Sequence, residues 1–269
     1  MGTAVGAVWA TRGWFGAAID DANRWDCDLF PCLWSLWHTY RDADVILVDM
    51  AVGLPDVDHG RRECDRLAKQ LLGSRHPGVY YAPIRDAIYQ PSLSAAKQLN
   101  EVAGFSIQNQ TWSIVPRIRE VDEFLDAQPG ARDRIRETRA EVCYHTFAGS
   151  QLEHPPTTSE GTAERRTILA SISPGATAAL DAAIATFTTP PYAPTVTDAK
   201  AIRDAFVTAL TARRDSTERA TLPLAPPTDE RGLPMSITHP ATQQQTTACR
   251  PRLALRAVQA VGDPDKEHD

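Results

Sequence analysis

The sequence predicts an α/β protein built on a mixed central β-sheet, and three observations lead to this fold class. Residues 3–9 and 13–19 are short apolar runs separated by Ala10-Thr11-Arg12, a joint short enough for an antiparallel hairpin. Residues 44–49 contain Val45-Ile46-Leu47-Val48, an unbroken β-branched and aliphatic run typical of a buried strand. Downstream of this run, helical periodicities are interleaved with strand-like pieces, and this order indicates helices packed on a mixed sheet.

The other elements follow from periodicity and from turn residues. Gly73 is expected to end one helix, Ser92 to cap the next, and Pro116 to lie in the first turn of a third. Asp198 is expected to cap a late helix after a Thr- and Pro-rich linker at 188–197. Helices are predicted at 33–40, 61–72, 92–102, 114–125, 164–172, 175–186 and 198–214. Further strand-like segments lie at 26–32, 139–147 and 235–238, and residues 78–81 are either a short strand or an extended loop.

Composition restricts the class of protein. A hydrophobic content of 42% with 23% charged residues is ordinary for a soluble globule with a sizeable core. The net charge of −6 argues against a protein that coats nucleic acid, although a nuclease with a local basic patch is compatible with it. No apolar run reaches the length of a membrane span. We therefore expect one domain over residues 1–240, a disordered tail at 241–269 and no membrane partner.

The five cysteines favour a reducing compartment. Their number is odd and none of them forms a CxxC pair, so neither a disulfide framework nor a zinc site is indicated. The apolar N-terminus lacks the basic region of a signal peptide, and Arg12 interrupts it early. The expected location is cytoplasmic.

Three acidic residues are candidates for chemistry. Asp49 follows the buried strand at its carboxyl end, where open α/β sheets bind ligands, although an aspartate there can equally cap a turn. Glu141 lies in a strand-like segment and Asp204 on an apolar-flanked helix, and both positions are more often solvated or ion-paired. If the three meet, their oxygens suit Mg²⁺ or Mn²⁺, and two such ions can promote phosphodiester hydrolysis.

Other candidates have a structural alternative. His145 is a possible base or ligand but is more often structural, and the arginines of the 61–72 helix are either phosphate contacts or a solvated face. Trp34 and Trp37 could stack on bases, but their helical spacing favours a core role. Glycine-rich phosphate loops of the GxxxxGK[ST] and GxGxxG kinds do not occur.

Eight segments in order resemble one family. They are Val5 to Trp14, Asp49 to Leu54, Arg62 to Asp65, Gln110 to Asp122, Glu141 to His145, Gly161 to Arg165, Asp204 to Ala212 and Gly232 to Ile237. In this order they resemble the domain-of-unknown-function family four-two-nine, whose members are described as predicted RNase H-like nucleases, and coverage is roughly residues 4–240.

The resemblance implies an RNase H-like fold with acids on the first strand, on a mid-sheet strand and on the late helix, holding divalent metal. By position, Asp49, Glu141 and Asp204 match the family's acids. Val8 stands where the family has its first-strand acid, which typically bridges the metals in RNase H-like enzymes. His145 replaces a second glutamate, and its imidazole can still ligate Mn²⁺ or, more readily, Zn²⁺.

Three functions follow as hypotheses. The first is a metal-dependent nuclease with altered metal binding, in which Asp49, Glu141, Asp204 and His145 are ligands and Arg12 and Arg62 contact phosphate. The second is a catalytically inactive member that binds nucleic acid or a protein, which Val8 favours. The third is a nucleotide-binding or phosphoryl-transfer protein, because actin-like ATPases share the implied fold. The missing glycine-rich loop weighs against it.

Overall fold

The computed structural model describes residues 2–192 and 199–242, apart from the side chains of residues 75–77. In this part of the chain the strands are β1 (Thr3–Ala10), β2 (Gly13–Asp20), β3 (Trp25–Phe30), β4 (Val45–Val48), β5 (Ile135–Glu137), β6 (Arg219–Leu222) and β7 (Ile237–Pro240). The α-helices are α1 (Leu33–Tyr40), α2 (Glu63–Leu72), α3 (Arg85–Ile88), α4 (Leu93–Val102), α5 (Asn109–Ala127), α6 (Ala140–Ala148), α7 (Ser159–Ile172), α8 (Pro174–Phe187) and α9 (Ala199–Ala212).

The central sheet has five strands in the order β3-β2-β1-β4-β5. β1, β2 and β3 form an antiparallel meander, in which Thr3 pairs with Asp20 and Ala10 with Gly13. β4 joins the other side of β1 in parallel, and β5 pairs in parallel with β4. The chain is therefore α/β with a mixed sheet, as the sequence predicts, and the arrangement is consistent with an RNase H-like fold.

The sheet is covered on both faces because the β1 residues that point to either face are apolar. Val5 and Ala7 belong to a core completed by α1 and α5, whereas Ala4 and Val8 belong to a core completed by α6, α7, α8 and α9. Gly6 faces α9, and a β-carbon at this position would lie 2.3 Å from the carbonyl oxygen of Ala205. The missing side chain thus lets α9 lie directly on β1.

A two-stranded antiparallel ribbon, β6 and β7, is attached to the β5 side of the sheet. Thr138 follows β5 and forms a bridge to Thr238, and its hydroxyl donates to the Thr238 carbonyl oxygen at 2.7 Å. The segment before β7 approaches the turn after β4. There Gly53 has φ +74°, and a β-carbon on it would lie 2.8 Å from the carbonyl oxygen of Pro234.

Most of the predicted elements are confirmed, including the first hairpin, the buried strand and the helix capped by Ser92, whose hydroxyl accepts from the Ala95 N–H at 3.3 Å. The predicted strand at 139–147 is wrong: these residues form α6, which ends at Gly149 with φ +68°. Pro116 lies inside α5, which begins seven residues earlier at Asn109, rather than in its first turn. Residues 78–81 contain no strand.

Two sequence expectations lie outside the described residues. They are the cap at Asp198 and, from residue 243 onward, the disordered tail. Within residues 2–192 and 199–242, none of the helices combines the length and the apolarity needed to cross a lipid bilayer.

Candidate functional site

The three acids of the sequence analysis meet on the face of the sheet that α9 covers. Asp49 follows β4, Glu141 lies in the first turn of α6, and Asp204 lies in α9. Burial raises the pKa of Asp204 to about 6; Lys200 opposes this rise, and the charges of Glu141 and Asp49 add to it. The three carboxylates are therefore close enough to interact, and we call Asp49, Glu141 and Asp204 the acid cluster.

Asp49 is positioned at the N-terminus of α6. Its Oδ2 accepts the backbone N–H of Ala140 at 3.3 Å, and its Oδ1 lies 3.3 Å from Nη1 of Arg139. An acid at a helix N-terminus is favoured by the exposed N–H groups and the helix dipole. Asp49 therefore has a structural role as a cap of α6, in addition to any role toward a ligand.

Glu141 is held by a buried arginine. Nε and Nη2 of Arg165 contact its two carboxylate oxygens at 3.0 and 2.6 Å, and Arg165 is 0% exposed. Nη1 of Arg165 donates to the carbonyl oxygens of His154 and Gly161 at 3.1 and 3.0 Å. Both oxygens of Glu141 are thus engaged by a fork-shaped cation that is fixed by its own backbone contacts.

Gly161 makes the position of Arg165 possible. A β-carbon on Gly161 would lie 1.8 Å from the carbonyl oxygen of Pro155, a distance that no packing adjustment of a side chain can relieve. The loop before α7 therefore lies directly against the helix at this point. The contact accounts for the glycine, and Arg165, four residues later, donates to the glycine's carbonyl oxygen.

Asp204 is paired with a lysine of its own helix. Nζ of Lys200 contacts Oδ2 of Asp204, which is 1% exposed, whereas the lysine side chain is 36% exposed. The carboxylates raise the pKa of Lys200, Asp204 most strongly and Asp49 and Glu141 less, so the ammonium stays charged. Lys200 therefore places a permanent cation within the acid cluster.

Val8, which the resemblance places where the family has its first-strand acid, lies at the same level of the sheet as Asp49. β1 and β4 pair Ala7 with Val48, and the Asp49 N–H donates to the Ala7 carbonyl oxygen at 2.9 Å, so the next residues, Val8 and Asp49, are neighbours. Val8 is 8% exposed and belongs to the core that α9 completes. Val8 therefore adds packed methyl groups, and no oxygen, beside Asp49.

The predicted phosphate contacts are placed very differently. Arg12 is exposed in the turn between β1 and β2. Arg62 is 1% exposed, and its guanidinium is bound by Asp65 at 2.6 Å and by Glu137 at 2.7 Å. This placement disfavours contact between Arg62 and a ligand and assigns the arginine to the packing of α2 against β5.

His145 lies one helical turn after Glu141 on α6, and its Nδ1 is buried with no hydrogen-bond partner among the described residues. The charge of His145 acts on a second histidine, His239. Burial lowers the pKa of His239, and His145 lowers it further. The tryptophans considered as stacking platforms belong to aromatic packing, since Trp34 and Trp37 both contact Phe124 edge to face.

Sequence reasoning missed a buried ionic network beside the acid cluster. Glu137, on β5, accepts from Arg62 and from the backbone N–H of Val52 at 2.8 Å, and it forms an ion pair with Arg139 at 2.9 Å. Arg139 in turn lies against Asp49. The Arg62 to Asp65 and Asp49 to Leu54 motifs thus converge on Glu137, whose strand is only three residues long and carries no periodicity signal.

The acid cluster does not fit a pair of divalent cations. Asp49, Glu141 and Asp204 each face a side-chain cation, respectively Arg139, Arg165 and Lys200. Val8 supplies no bridging oxygen. Within the described ranges, no group of three or more His, Cys, Asp or Glu side chains could hold a metal ion. One feature is compatible with a single cation: Oδ1 of Asp204 is buried and has no hydrogen-bond partner there.

Comparison with known proteins identifies the family. No curated protein and no solved structure matches the chain. One family model matches residues 9–229, and this range includes Asp49, Glu141 and Asp204. The chain belongs to the family described as "Protein of unknown function (DUF429)".

Proposed function

We propose that this protein is a non-hydrolysing member of the RNase H-like fold that binds the phosphate backbone of nucleic acid without a metal ion. The observation that carries the proposal is the Lys200 ammonium within the acid cluster, against Oδ2 of Asp204. In the metal-dependent enzymes that the fold resemblance implies, divalent cations neutralise the carboxylates. Here side-chain cations neutralise the carboxylates, namely Arg139, Arg165 and Lys200.

The exposed basic groups support binding to phosphate. The ammonium of Lys200 has three N–H donors, and its ion pair with Oδ2 of Asp204 leaves donors free for another acceptor. The Lys200 side chain is 36% exposed, so these donors are offered to a phosphate oxygen. Arg12 is exposed in the turn that follows β1, at the end of the strand that carries Val8. Both residues would act as phosphate contacts, which provide affinity without reading sequence.

A metal-dependent nuclease is the second candidate, and the orphaned Oδ1 of Asp204 favours it. A buried carboxylate oxygen without a partner is unfavourable unless a cation or a donor satisfies it. Mg²⁺ or Mn²⁺ would need Lys200 to move outward before it could bind Asp204.

The four described cysteines are free thiols, which supports the cytoplasm as the location of either function.

The test measures binding and cleavage of labelled single- and double-stranded DNA and RNA, first in EDTA and then in Mg²⁺ or Mn²⁺. We expect salt-dependent binding in EDTA and no cleavage in either metal. Arg12→Met and Lys200→Met should each weaken binding and lower the salt slope by about one. Lys97→Met, on α4 and away from the acid cluster, is the matched control and should bind as the parent does.

Two results would reject the proposal. Absence of binding in EDTA to every substrate would remove the binding function. Cleavage by the parent in Mg²⁺ or Mn²⁺, lost in Asp204→Asn, would establish the nuclease instead.

A further inference from the structure

A second polar site lies between the central sheet and the β6–β7 ribbon. It is a cavity of about 370 Å³, lined by the start of β4, by β5 and by both strands of the ribbon. The acid cluster contributes no residue to its lining. Its most conspicuous members are two half-buried arginines, Arg136 of β5 and Arg219 of β6.

These two arginines have no carboxylate partner within 4 Å in the described part of the chain. The polar contacts of Arg136 are the carbonyl oxygens of Arg132 and Ile135, and Arg219 donates to the carbonyl oxygen of Ala212 at 2.9 Å. Arg62, Arg85, Arg139 and Arg165, which are more deeply buried, are all ion-paired with carboxylates. Arg136 and Arg219 therefore carry their charge without a carboxylate in contact, as does the buried Arg203, whose contacts are Thr162 and the Pro156 carbonyl oxygen.

The two guanidinium groups also repel each other. Burial lowers the pKa of Arg219, and the charge of Arg136 lowers it further, while Asp215 and Asp44 oppose this change. Burial lowers the pKa of Arg136 as well, and the opposing group there is Asp133. Asp44 and Asp133 line the cavity, but both are exposed residues at its rim. An anion between the two arginines would remove the repulsion and complete their hydrogen bonding.

The remaining walls indicate what the anion is attached to. Ser236 and Thr238 line the cavity on the ribbon side, and both residues are buried. Val45, Leu47 and Pro226 give the cavity an apolar wall. A volume of about 370 Å³ is within the lower range of small-molecule sites, which combine apolar walls with a few polar groups.

We propose that this cavity binds a small organic anion, whose phosphate or carboxylate group lies between Arg136 and Arg219 and whose apolar body lies against Val45 and Pro226. The site is independent of the acid cluster and of the function proposed for it. Phosphate and carboxylate share the geometry that a guanidinium recognises, so the experiment distinguishes between them.

The probes are phenyl phosphate, benzoate and inorganic phosphate, titrated into the full chain at low ionic strength by calorimetry and by thermal unfolding. We expect saturable binding of phenyl phosphate or benzoate, tighter than that of inorganic phosphate, and a melting temperature raised by about 2 °C or more at saturation. Arg136→Met and Arg219→Met should each weaken binding about tenfold or more, because each removes charge-assisted hydrogen bonds.

Arg41→Met is the matched control, since Arg41 is exposed, lies outside the cavity and loses the same charge. Its affinity for the probes should equal that of the parent. Circular dichroism checks that each variant folds. If a methionine variant does not fold, Arg136→Lys or Arg219→Lys replaces it. Lysine keeps the positive charge but loses the bidentate contact of the guanidinium. No saturable binding of any probe, or equal weakening in Arg41→Met, would overturn the site. Tightest binding of inorganic phosphate would overturn an organic ligand.

Discussion

The ammonium of Lys200 lies against Oδ2 of Asp204 one turn later on α9, while Oδ1 of the same carboxylate is buried without a hydrogen-bond partner in the part of the chain that the structure describes. The lysine thus pairs with one oxygen of the buried carboxylate and leaves the other oxygen without a partner among the described residues. The same pair carries the proposal of metal-free binding and the possibility of restoring a cation site.

Lys200→Met should open the acid cluster to a divalent cation. The change leaves Asp204 buried without its counter-ion, so we expect a loss of about 2 kcal/mol of unfolding free energy, below the range for fully buried pairs because Lys200 is partly exposed. Millimolar Mn²⁺ should then raise the melting temperature of the variant saturably and leave the parent unchanged. Lys97→Met is the control; a manganese response in that variant or in the parent would contradict the role of Lys200.

Val8→Asp should restore the missing first-strand acid at the expense of stability. Val8 is 8% exposed in a packed core, and a carboxylate there costs about 3 kcal/mol without a partner. Mn²⁺ should recover part of this loss, most clearly in the double variant with Lys200→Met. Val8→Ala removes packing without adding charge, so its smaller loss should not respond to Mn²⁺. Equal melting temperatures of Val8→Asp with and without Mn²⁺ would show that the position does not reach a cation.

Gly161→Ala should destabilise the protein strongly because the new methyl group would lie 1.8 Å from the carbonyl oxygen of Pro155. We expect a loss of about 3 kcal/mol or more in chemical denaturation, since the loop and Arg165 must both shift. Gly175→Ala is the matched control, because nothing lies within 4 Å of a β-carbon at Gly175, and it should be neutral or slightly stabilising. Similar losses in the two variants would mean that the contact with Pro155 is not close.

The sequence predicts the sheet well because its strands carry strong local signals. β1, β2 and β4 are apolar runs with clear boundaries, and the helices α2 and α4 end or begin at Gly73 and Ser92 as expected. The segment 139–147 contains valine, tyrosine and phenylalanine, which favour strands locally and predict a strand. It folds as α6 because packing against α2, α7 and α9 outweighs that preference.

The sequence singles out the three acids as candidates, but it does not predict the ion pairs that hold them. Pairing of Glu141 with Arg165 connects two helices, and the effect of Asp49 on Asp204 connects a strand end with α9. Such relationships depend on tertiary placement and leave no periodicity in the chain. Only Lys200, four residues before Asp204, has a spacing that could have revealed its partner.

His239 should make the protein less stable as the pH falls below 6.5. The residue is 2% exposed, its Nδ1 lies 2.7 Å from the Pro240 carbonyl oxygen, and its Nε2 is buried without a described partner. Burial lowers its pKa in the folded protein, so the unfolded chain takes up the proton first. Its contribution to stability is therefore complete above pH 6.5 and decreases below that value.

Urea denaturation from pH 5 to pH 8 tests this dependence by comparing the parent with His239→Phe, which cannot be protonated. Asp204 acts in the opposite direction, because a carboxyl whose pKa is raised to about 6 adds stability as the pH falls through that value. It is present in both proteins and cancels in the difference. His145 changes the stability in the same direction as His239, since burial lowers its pKa too. The two histidines repel each other when charged, so this coupling is lost in His239→Phe and adds to the difference in the same direction. The parent should lose stability relative to His239→Phe below pH 6.5, and a constant difference across the range would show that His239 accepts a proton freely in the folded state.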